Sequence, residues 1–121
     1  MDALKAPVKT ILESGTDIPV FYERADKNTS YPYFVFECRR ISENSGIEQY
    51  VLEVNGWDQG STSSRIESKM DELEKAIHNL KYNDRDRTII IYKGQKNPVD
   101  DEDKSIKRYR EQFDMRVCER R

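Results

Sequence analysis

A one-sided apolar stripe between residues 66 and 80 constrains this chain more than any other feature of its sequence. The stripe recurs at alternating spacings of four and three residues, with charged residues between its members Ile66, Met70, Leu73, Ile77 and Leu80. This spacing predicts an amphipathic α-helix with one apolar face. A capping box formed by Ser64 and Glu67 would start the helix at Arg65.

The apolar face of this helix must be buried against another element. A coiled-coil partner is one solution, but sustained coiled coils usually need more heptads than this stripe supplies. We therefore expect the helix to pack on a sheet formed by the same chain.

Strands are predicted where apolar and β-branched residues alternate or cover both faces of a segment. These segments are 18–22, 33–38, 47–57, 88–92 and 113–118. Turn residues at 42–46 would join the second and third strands into a hairpin. On the third strand Tyr50, Leu52 and Val54 should face the core, and Val51, Glu53, Asn55 and Trp57 should face away from it.

The first fifteen residues predict a second, shorter amphipathic helix. Pro7 lacks a backbone N–H and is harmless only in the first turn, so this helix is expected to start near Ala6. The element order becomes α-β-β-β-α-β-β. We expect an α+β fold in one domain, residues 1–121, with an antiparallel sheet of four to five strands and two helices on one face.

Polar segments without periodicity are predicted to be connections. Residues 24–30 form one such loop, and residues 83–86 end the long helix. Residues 94–104 form the longest connection, which contains Pro98 and an acidic run: Asp100, Asp101, Glu102 and Asp103.

Composition makes the core thin and excludes several classes of protein. Counting glycine in place of tyrosine, 41 of the 121 residues are apolar, or about 34% compared with ~45–50% in typical globular domains. The 21 basic and 23 acidic residues are interleaved and nearly cancel, which argues against disorder and against a dedicated nucleic-acid binder. The longest apolar run, at residues 31–36, is too short to span a membrane, and we expect neither a membrane protein nor a secreted one.

The residues that usually carry chemistry are sparse. His78 is the single histidine, lies beside the apolar stripe and has no catalytic signature around it. Cys38 and Cys118 fall in separate strands and are expected to be small buried thiols in a reducing compartment. The acidic run lacks the spacing of a calcium loop, and no phosphate-binding glycine loop occurs. We expect no enzyme, no cofactor and no metal site.

Aromatic residues are numerous for so thin a core, with seven tyrosines among twelve aromatic residues. Tyrosine and tryptophan combine a large apolar body with a polar edge and are enriched at protein interfaces. We predict that the sheet face away from the helices is covered by other subunits. The residues expected at this interface are Tyr33, Val35, Trp57, Tyr92 and Tyr109.

The order of segments resembles that of small tail-completion proteins of long-tailed bacteriophages and prophages, which include tail terminators and head-tail joining proteins. The resemblance covers residues 17–119. It is carried by the segment Tyr31-Pro32-Tyr33-Phe34-Val35-Phe36 and by the stretch at residues 50–58. The strand in that stretch, Val51 to Trp57, ends in an aromatic residue and leads into a serine-rich cap and an amphipathic helix.

The resemblance implies a structural role. Members of this family assemble, typically as hexamers, into a ring at the head-proximal end of the tail tube. The ring stops tube polymerisation and presents a docking surface to the head. Expected partners are therefore other copies of the chain, the major tail tube protein and a head-completion or connector protein, with genomic DNA passing through the lumen. The expected location is the virion tail, reached from the host cytoplasm.

Two points stay open from sequence alone. The acidic run Asp100 to Asp103 could line the lumen of such a ring or form a docking loop. The alternative function is a cytoplasmic α+β binding module whose sheet aromatics stack on a ligand or on single-stranded nucleic acid.

Overall fold

The computed structural model describes residues 2–119 and has an α+β fold. Its two helices are α1, Asp2–Ser14, and α2, Ser64–Ile77. The strands in these residues are β1 Val20–Tyr22, β2 Tyr33–Asn44, β3 Ile47–Gln59, β4 Lys81–Asn83, β5 Arg87–Val99 and β6 Ile106–Glu119. No helix within this part of the chain is long and apolar enough to cross a membrane.

The strands form one six-stranded sheet in the order β1-β2-β3-β6-β5-β4. The pairing of β1 with β2 is parallel, and every other neighbouring pair is antiparallel. The prediction of four to five antiparallel strands was therefore only roughly right. Residues 23–32 are long enough to return the chain to the end of the sheet at which β1 began, which makes a parallel pair possible where a tight turn would not.

The additional strand, β4, arises because α2 ends earlier than the apolar stripe indicates. The helix stops at Ile77, His78 is extended, and Asn79 adopts a left-handed conformation with φ 64°. Asparagine tolerates this conformation better than most residues. The chain reverses there, so that Leu80 lies outside the helix but still packs against the core.

Strand β5 is longer than predicted, because residues 94–99 continue it. A bulge between Tyr92 and Gln95 shifts the register, after which β5 pairs with β6 as far as Val99. Pro98 does not end the strand, because β4 covers β5 only at Thr88–Ile90 and an edge strand tolerates a missing N–H. The connection to β6 is therefore only residues 100–105.

The first helix also begins earlier than predicted, since Pro7 lies inside α1 and is buried. Proline leaves the carbonyl four residues earlier without its helical hydrogen bond. That carbonyl belongs to Ala3, and it accepts a hydrogen bond from Nη1 of Arg87 at 2.9 Å. A tertiary contact thus provides the donor that proline lacks.

Both helices pack on one face of the sheet, where the two amphipathic patterns meet the inward residues of the strands. The stripe residues Ile66, Met70, Leu73 and Ile77 are all fully buried. So are Leu52 and Val54 of β3, while Tyr50 is 6% exposed, as their shared face predicted. The start of α2 is fixed by Arg65, whose Nε donates to the buried Asp58 carboxylate of β3 at 2.8 Å.

The predicted capping box of Ser64 and Glu67 does not form. The N-cap of α2 is Ser63, and its hydroxyl donates to the Glu67 carboxylate instead of capping a backbone N–H. Glu67 lies in the first turn, where the partial positive charge of the helix N-terminus favours a carboxylate.

Gly94 is required by the bulge of β5. A Cβ built there would lie 1.9 Å from the carbonyl oxygen of Gln112 on β6, a backbone atom that cannot rotate away. We expect Gly94→Ala to lower the free energy of unfolding by at least about 3 kcal/mol, at the upper end of overpacking effects. Gly46→Ala is the matched control: a Cβ there has nothing within 4 Å, and only the φ of 84° penalises alanine, at a cost on the order of 1 kcal/mol. Urea unfolding measures both variants, and equal losses would contradict the proposed clash.

Candidate binding surface

The face of the sheet opposite the helices has no layer of structure over it in residues 2–119. We call it the open face. Register places on it the alternate residues of each strand, among them Phe21, Tyr33, Val35, Val51, Glu53, Asn55, Trp57, Tyr92, Arg108, Arg110, Gln112 and Asp114. Most of these side chains are half-buried by their neighbours in the sheet. The open face is therefore a continuous surface on which another molecule can bind.

One end of the open face is aromatic. Tyr31 and Tyr33 stack with ring centroids 5.4 Å apart, and Phe21 meets Tyr33 edge-on at 6.1 Å. Tyr33 lies directly across from Trp57 on β3, and Arg108 of β6 places its guanidinium 4.8 Å from the centre of the Trp57 ring. Stacked rings and a cation over tryptophan are favourable contacts that also order this end of the sheet.

A groove of about 440 Å³ runs between these aromatics and the loop that follows β1. Tyr33, Val35 and Trp57 form its floor, and residues 23–29 with Tyr31 form its wall. We call this space the aromatic groove. Burial raises the pKa of the Tyr33 hydroxyl, with a smaller contribution from Tyr31, so that this phenol is a neutral hydrogen-bonding group at physiological pH.

Polar groups hold the floor of the groove in position. Nε of Arg108 donates to Oδ1 of Asn55 at 3.0 Å, and Nδ2 of Asn55 donates to Oε2 of Glu53 at 3.1 Å. Asn55 is only 5% exposed, so these two hydrogen bonds satisfy the polar atoms of a buried side-chain amide. Glu53 also accepts a hydrogen bond from Gln112 at 3.3 Å. The aromatic end therefore passes into a polar band across the middle of the face.

The structure brings together only part of the predicted interface. Tyr33, Val35 and Trp57 lie side by side in the aromatic groove, as cross-strand neighbours of β2 and β3. Tyr92 is on the same face but at the far end of the sheet, where Arg116 lies 5.8 Å from its ring. Tyr109 points to the other face and packs against the core cluster. Tyr109, Glu111 and Phe113 lie on the same inward side of β6. Because Glu111 carries a carboxylate, the apolar alternation could not be followed in the sequence from Phe113 back to Tyr109.

The acidic run lies in the loop between β5 and β6. Asp103 accepts hydrogen bonds from the backbone N–H of Ser105 at 2.9 Å and from its hydroxyl at 2.7 Å, and these bonds lower the pKa of Asp103. Asp101 accepts one from the N–H of Asp103 at 3.0 Å. Asp100 and Glu102 are exposed. Two acids thus shape the loop, and two are presented outward.

The histidine and the two cysteines that the sequence analysis considered do not form a site together. Nδ1 of His78 accepts a hydrogen bond from the backbone N–H of Lys93 at 2.9 Å, which caps the edge of β5 at its bulge. Cys38 and Cys118 are free thiols, but they are not buried as the sequence predicted, since Cys38 is half-buried and Cys118 is exposed. Burial raises the pKa of Cys38 to about 12, so this thiol stays protonated and unreactive.

Sequence reasoning missed Glu111, the most perturbed carboxyl group among the described residues. It is fully buried on the helix side of β6, lies opposite Lys96 of β5, and its protonated form shares a hydrogen bond with the Glu74 carboxylate of α2. Burial, together with the neighbouring Glu74 carboxylate, raises the pKa of Glu111 to about 8 despite the opposing effect of Lys96. The sequence contained one sign of this buried acid: Glu111 alternates with Tyr109 and Phe113, so it occupies a position where an apolar residue is expected.

Stability should therefore depend on pH through Glu111. From its ordinary pKa of 4.5 up to about 8, the folded chain holds a proton that the unfolded chain releases, so the free energy of unfolding should fall as pH rises through this range and level off above it. Glu74 has a lowered pKa, so its titration affects the free energy of unfolding only at more acidic pH.

Glu111→Gln should remove most of this fall and be more stable than the wild-type chain at pH 9. The measurement is urea unfolding at pH 6, 7, 8 and 9. Glu13→Gln, at an exposed position of α1, is the control that should keep the wild-type slope. Parallel curves for wild type and Glu111→Gln would refute the assignment.

Compared with known proteins, the chain matches no family model and no curated sequence. The resemblance to phage tail-completion proteins is therefore a hypothesis carried by the order of segments and by the open face described above.

Proposed function

We propose that the chain is a structural tail-completion subunit of a bacteriophage or prophage, without catalytic activity, that assembles into a ring at the head-proximal end of the tail tube. The ring ends tube polymerisation and joins the tail to the head. The observation that carries this proposal is the open face, since one sheet face is covered by both helices and the other is left to a partner.

The character of the open face supports a protein partner. Aromatic and aliphatic side chains at Tyr33, Val35 and Trp57 adjoin a band of hydrogen-bonding groups, which is the mixture found at protein interfaces. Formal charge does not favour nucleic acid as the main partner, because the chain carries -2 overall and its ion pairs mix both signs across the surface. We accordingly propose that genomic DNA passes through the ring without sequence-specific binding.

The short edge strands support repeated assembly. Strand β1 pairs with β2 only at Phe34–Phe36, so that residues 37–44 have no strand on their outer side within residues 2–119. A ring needs two different surfaces on each subunit, and the open face and the lateral edges supply them. The major tail tube protein and a head-completion protein would bind the two ends of the ring, as the family resemblance implies.

The first test uses polymerised tail tubes of a long-tailed bacteriophage. Purified chain should cap one end of the tubes in electron micrographs and stop their growth. Tubes that keep growing and carry no terminal ring would refute the proposal.

A matched pair of substitutions tests the role of the open face. Tyr92→Ala removes a half-buried ring from the open face, whereas Tyr82→Ala removes one from the helix face nearby. Truncating an interface aromatic commonly costs about 2 kcal/mol of binding. We therefore expect Tyr92→Ala to raise the concentration for assembly more than tenfold, and Tyr82→Ala to lower stability without this effect. Sedimentation and thermal unfolding separate the two, and assembly unchanged by Tyr92→Ala would contradict the role.

A second function is favoured by one specific observation, the stacked Tyr31 and Tyr33 beside Trp57 and Arg108. Aromatic platforms of this kind bind successive bases of single-stranded nucleic acid. In that case oligothymidylate should quench the fluorescence of Trp57, the single tryptophan of the chain, with an affinity that falls steeply with salt. Such binding by a strictly monomeric protein would replace the ring proposal.

A further inference from the structure

Three carboxyl groups and one lysine meet between α2 and the strands β5 and β6. Nζ of Lys96 on β5 donates to Oδ1 of Asp71 at 2.6 Å and to Oε1 of Glu74 at 3.3 Å, and both acids belong to α2. Glu74 in turn shares a hydrogen bond with Glu111 of β6. We call these four residues the carboxyl cluster.

Burial decides which of the two neighbouring glutamates holds a proton. Glu111 is 0% exposed, whereas the side chain of Glu74 is 15% exposed and lies 3.3 Å from the Lys96 ammonium. Two adjacent carboxylates repel each other, and the one that water does not reach is the more costly to ionise. Glu111 is therefore the protonated member of the pair and donates its proton to a hydrogen bond with the Glu74 carboxylate.

The groups around Glu111 come from every element that packs against it. They are Glu74 of α2, Lys96 and the Gly94 N–H of β5, Val54 of β3, and Tyr109 of β6. Val54 is apolar, and burial raises the pKa of Tyr109, so both are uncharged near neutral pH. Lys93 acts electrostatically on Glu74. Lys96 is thus the cation that strand register places directly across from Glu111.

Lys96 keeps its charge while Glu111 titrates. The hydrogen bond to Asp71, with further contributions from Glu74, raises the pKa of the Lys96 ammonium, and the pKa of Glu111 is about 8. When Glu111 releases its proton to solvent, the hydrogen bond with Glu74 is lost. A second negative charge then lies beside Glu74 in a site without access to water, and a cation must move toward it to offset the cost.

We propose that Lys96 is a pH-operated latch between α2 and β5. While Glu111 is protonated, the Lys96 ammonium holds Asp71 and Glu74 of α2. When Glu111 loses its proton, the ammonium moves to the Glu111 carboxylate and releases Asp71. Directly opposed residues of antiparallel strands have Cβ atoms about 5 Å apart, which a lysine side chain spans easily.

The latch acts on the part of β5 that has the least other support. Strand β4 covers β5 only at Thr88–Ile90, so residues 95–99 pair with β6 on one side and have no strand on the other within residues 2–119. The same segment leads into the loop at residues 100–105. The loop end of β5 is therefore tied to α2 at pH 6 and loses this tie at pH 9, whether or not the chain forms a ring.

Double-mutant cycles measure the change of partner directly. The unfolding equilibrium constant in urea is determined for the wild type, Lys96→Met, Asp71→Asn and the double variant. At pH 6 the two residues should be coupled by about threefold, a common value for an ion pair near the surface, and at pH 9 this coupling should vanish. A second cycle of Lys96→Met with Glu111→Gln should show the reverse, with coupling of at least about threefold only at pH 9.

The matched control is the ion pair of Arg40 with Glu48, at 2.9 Å on the β2–β3 hairpin. A cycle of Arg40→Met with Glu48→Gln should give the same coupling at pH 6 and pH 9. In a Glu111→Gln background the coupling of Lys96 with Asp71 should persist at both pH values. A coupling that is equal at both pH values in the wild type, or that also falls in the Glu111→Gln background, would overturn the latch.

A second measurement needs no substitution. The nitrogen NMR signal of the Lys96 ammonium should move in a single step with a midpoint near pH 8, the pKa of Glu111. A signal that stays constant from pH 6 to pH 9 would also overturn the latch.

Discussion

The packing of two helices on one face of a single sheet is the interaction on which the rest of this structure depends. The stripe from Ile66 to Ile77 and the apolar side of α1 bury against inward residues of all the long strands. Apolar burial drives this contact, and with few apolar residues available the chain completes only one such layer. The open face is the direct consequence, because nothing in residues 2–119 remains to cover it.

Most polar groups buried between the helices and the sheet have hydrogen-bond partners. Arg65 satisfies the buried Asp58 at the start of α2, and Arg87 provides the hydrogen bond that Pro7 removes from α1. Glu111 is buried beside the Glu74 carboxylate, and its raised pKa avoids the cost of a buried charge. The helix side of the sheet is thus a packed core that contains two buried carboxyl groups, Asp58 and Glu111.

The open face differs in kind from that core. Its aromatics stack on one another and on Arg108, and its amide and carboxylate groups bond across strands, so the surface is ordered without being covered. Order before binding reduces the entropy lost on association. An ordered face of this kind can bind a partner without a large rearrangement.

The elements with strong local periodicity were predictable from the amino-acid sequence: α2 from its apolar stripe, the β2–β3 hairpin from its turn residues, and the inward side of β3 from its alternation. These three features depend on the spacing of residues within a short segment, and that spacing is visible in the sequence. Four features could be known only once the chain was folded: the end of α2 at Ile77, the continuation of β5 through Pro98, the parallel β1 and the inward side of Tyr109. Each depends on a neighbour distant in sequence, such as the Ile91 carbonyl that accepts a hydrogen bond from the Asn79 N–H, or the edge position that tolerates Pro98. The aromatic groove belongs to the second group, because Tyr33, Trp57 and Arg108 become neighbours only through strand register.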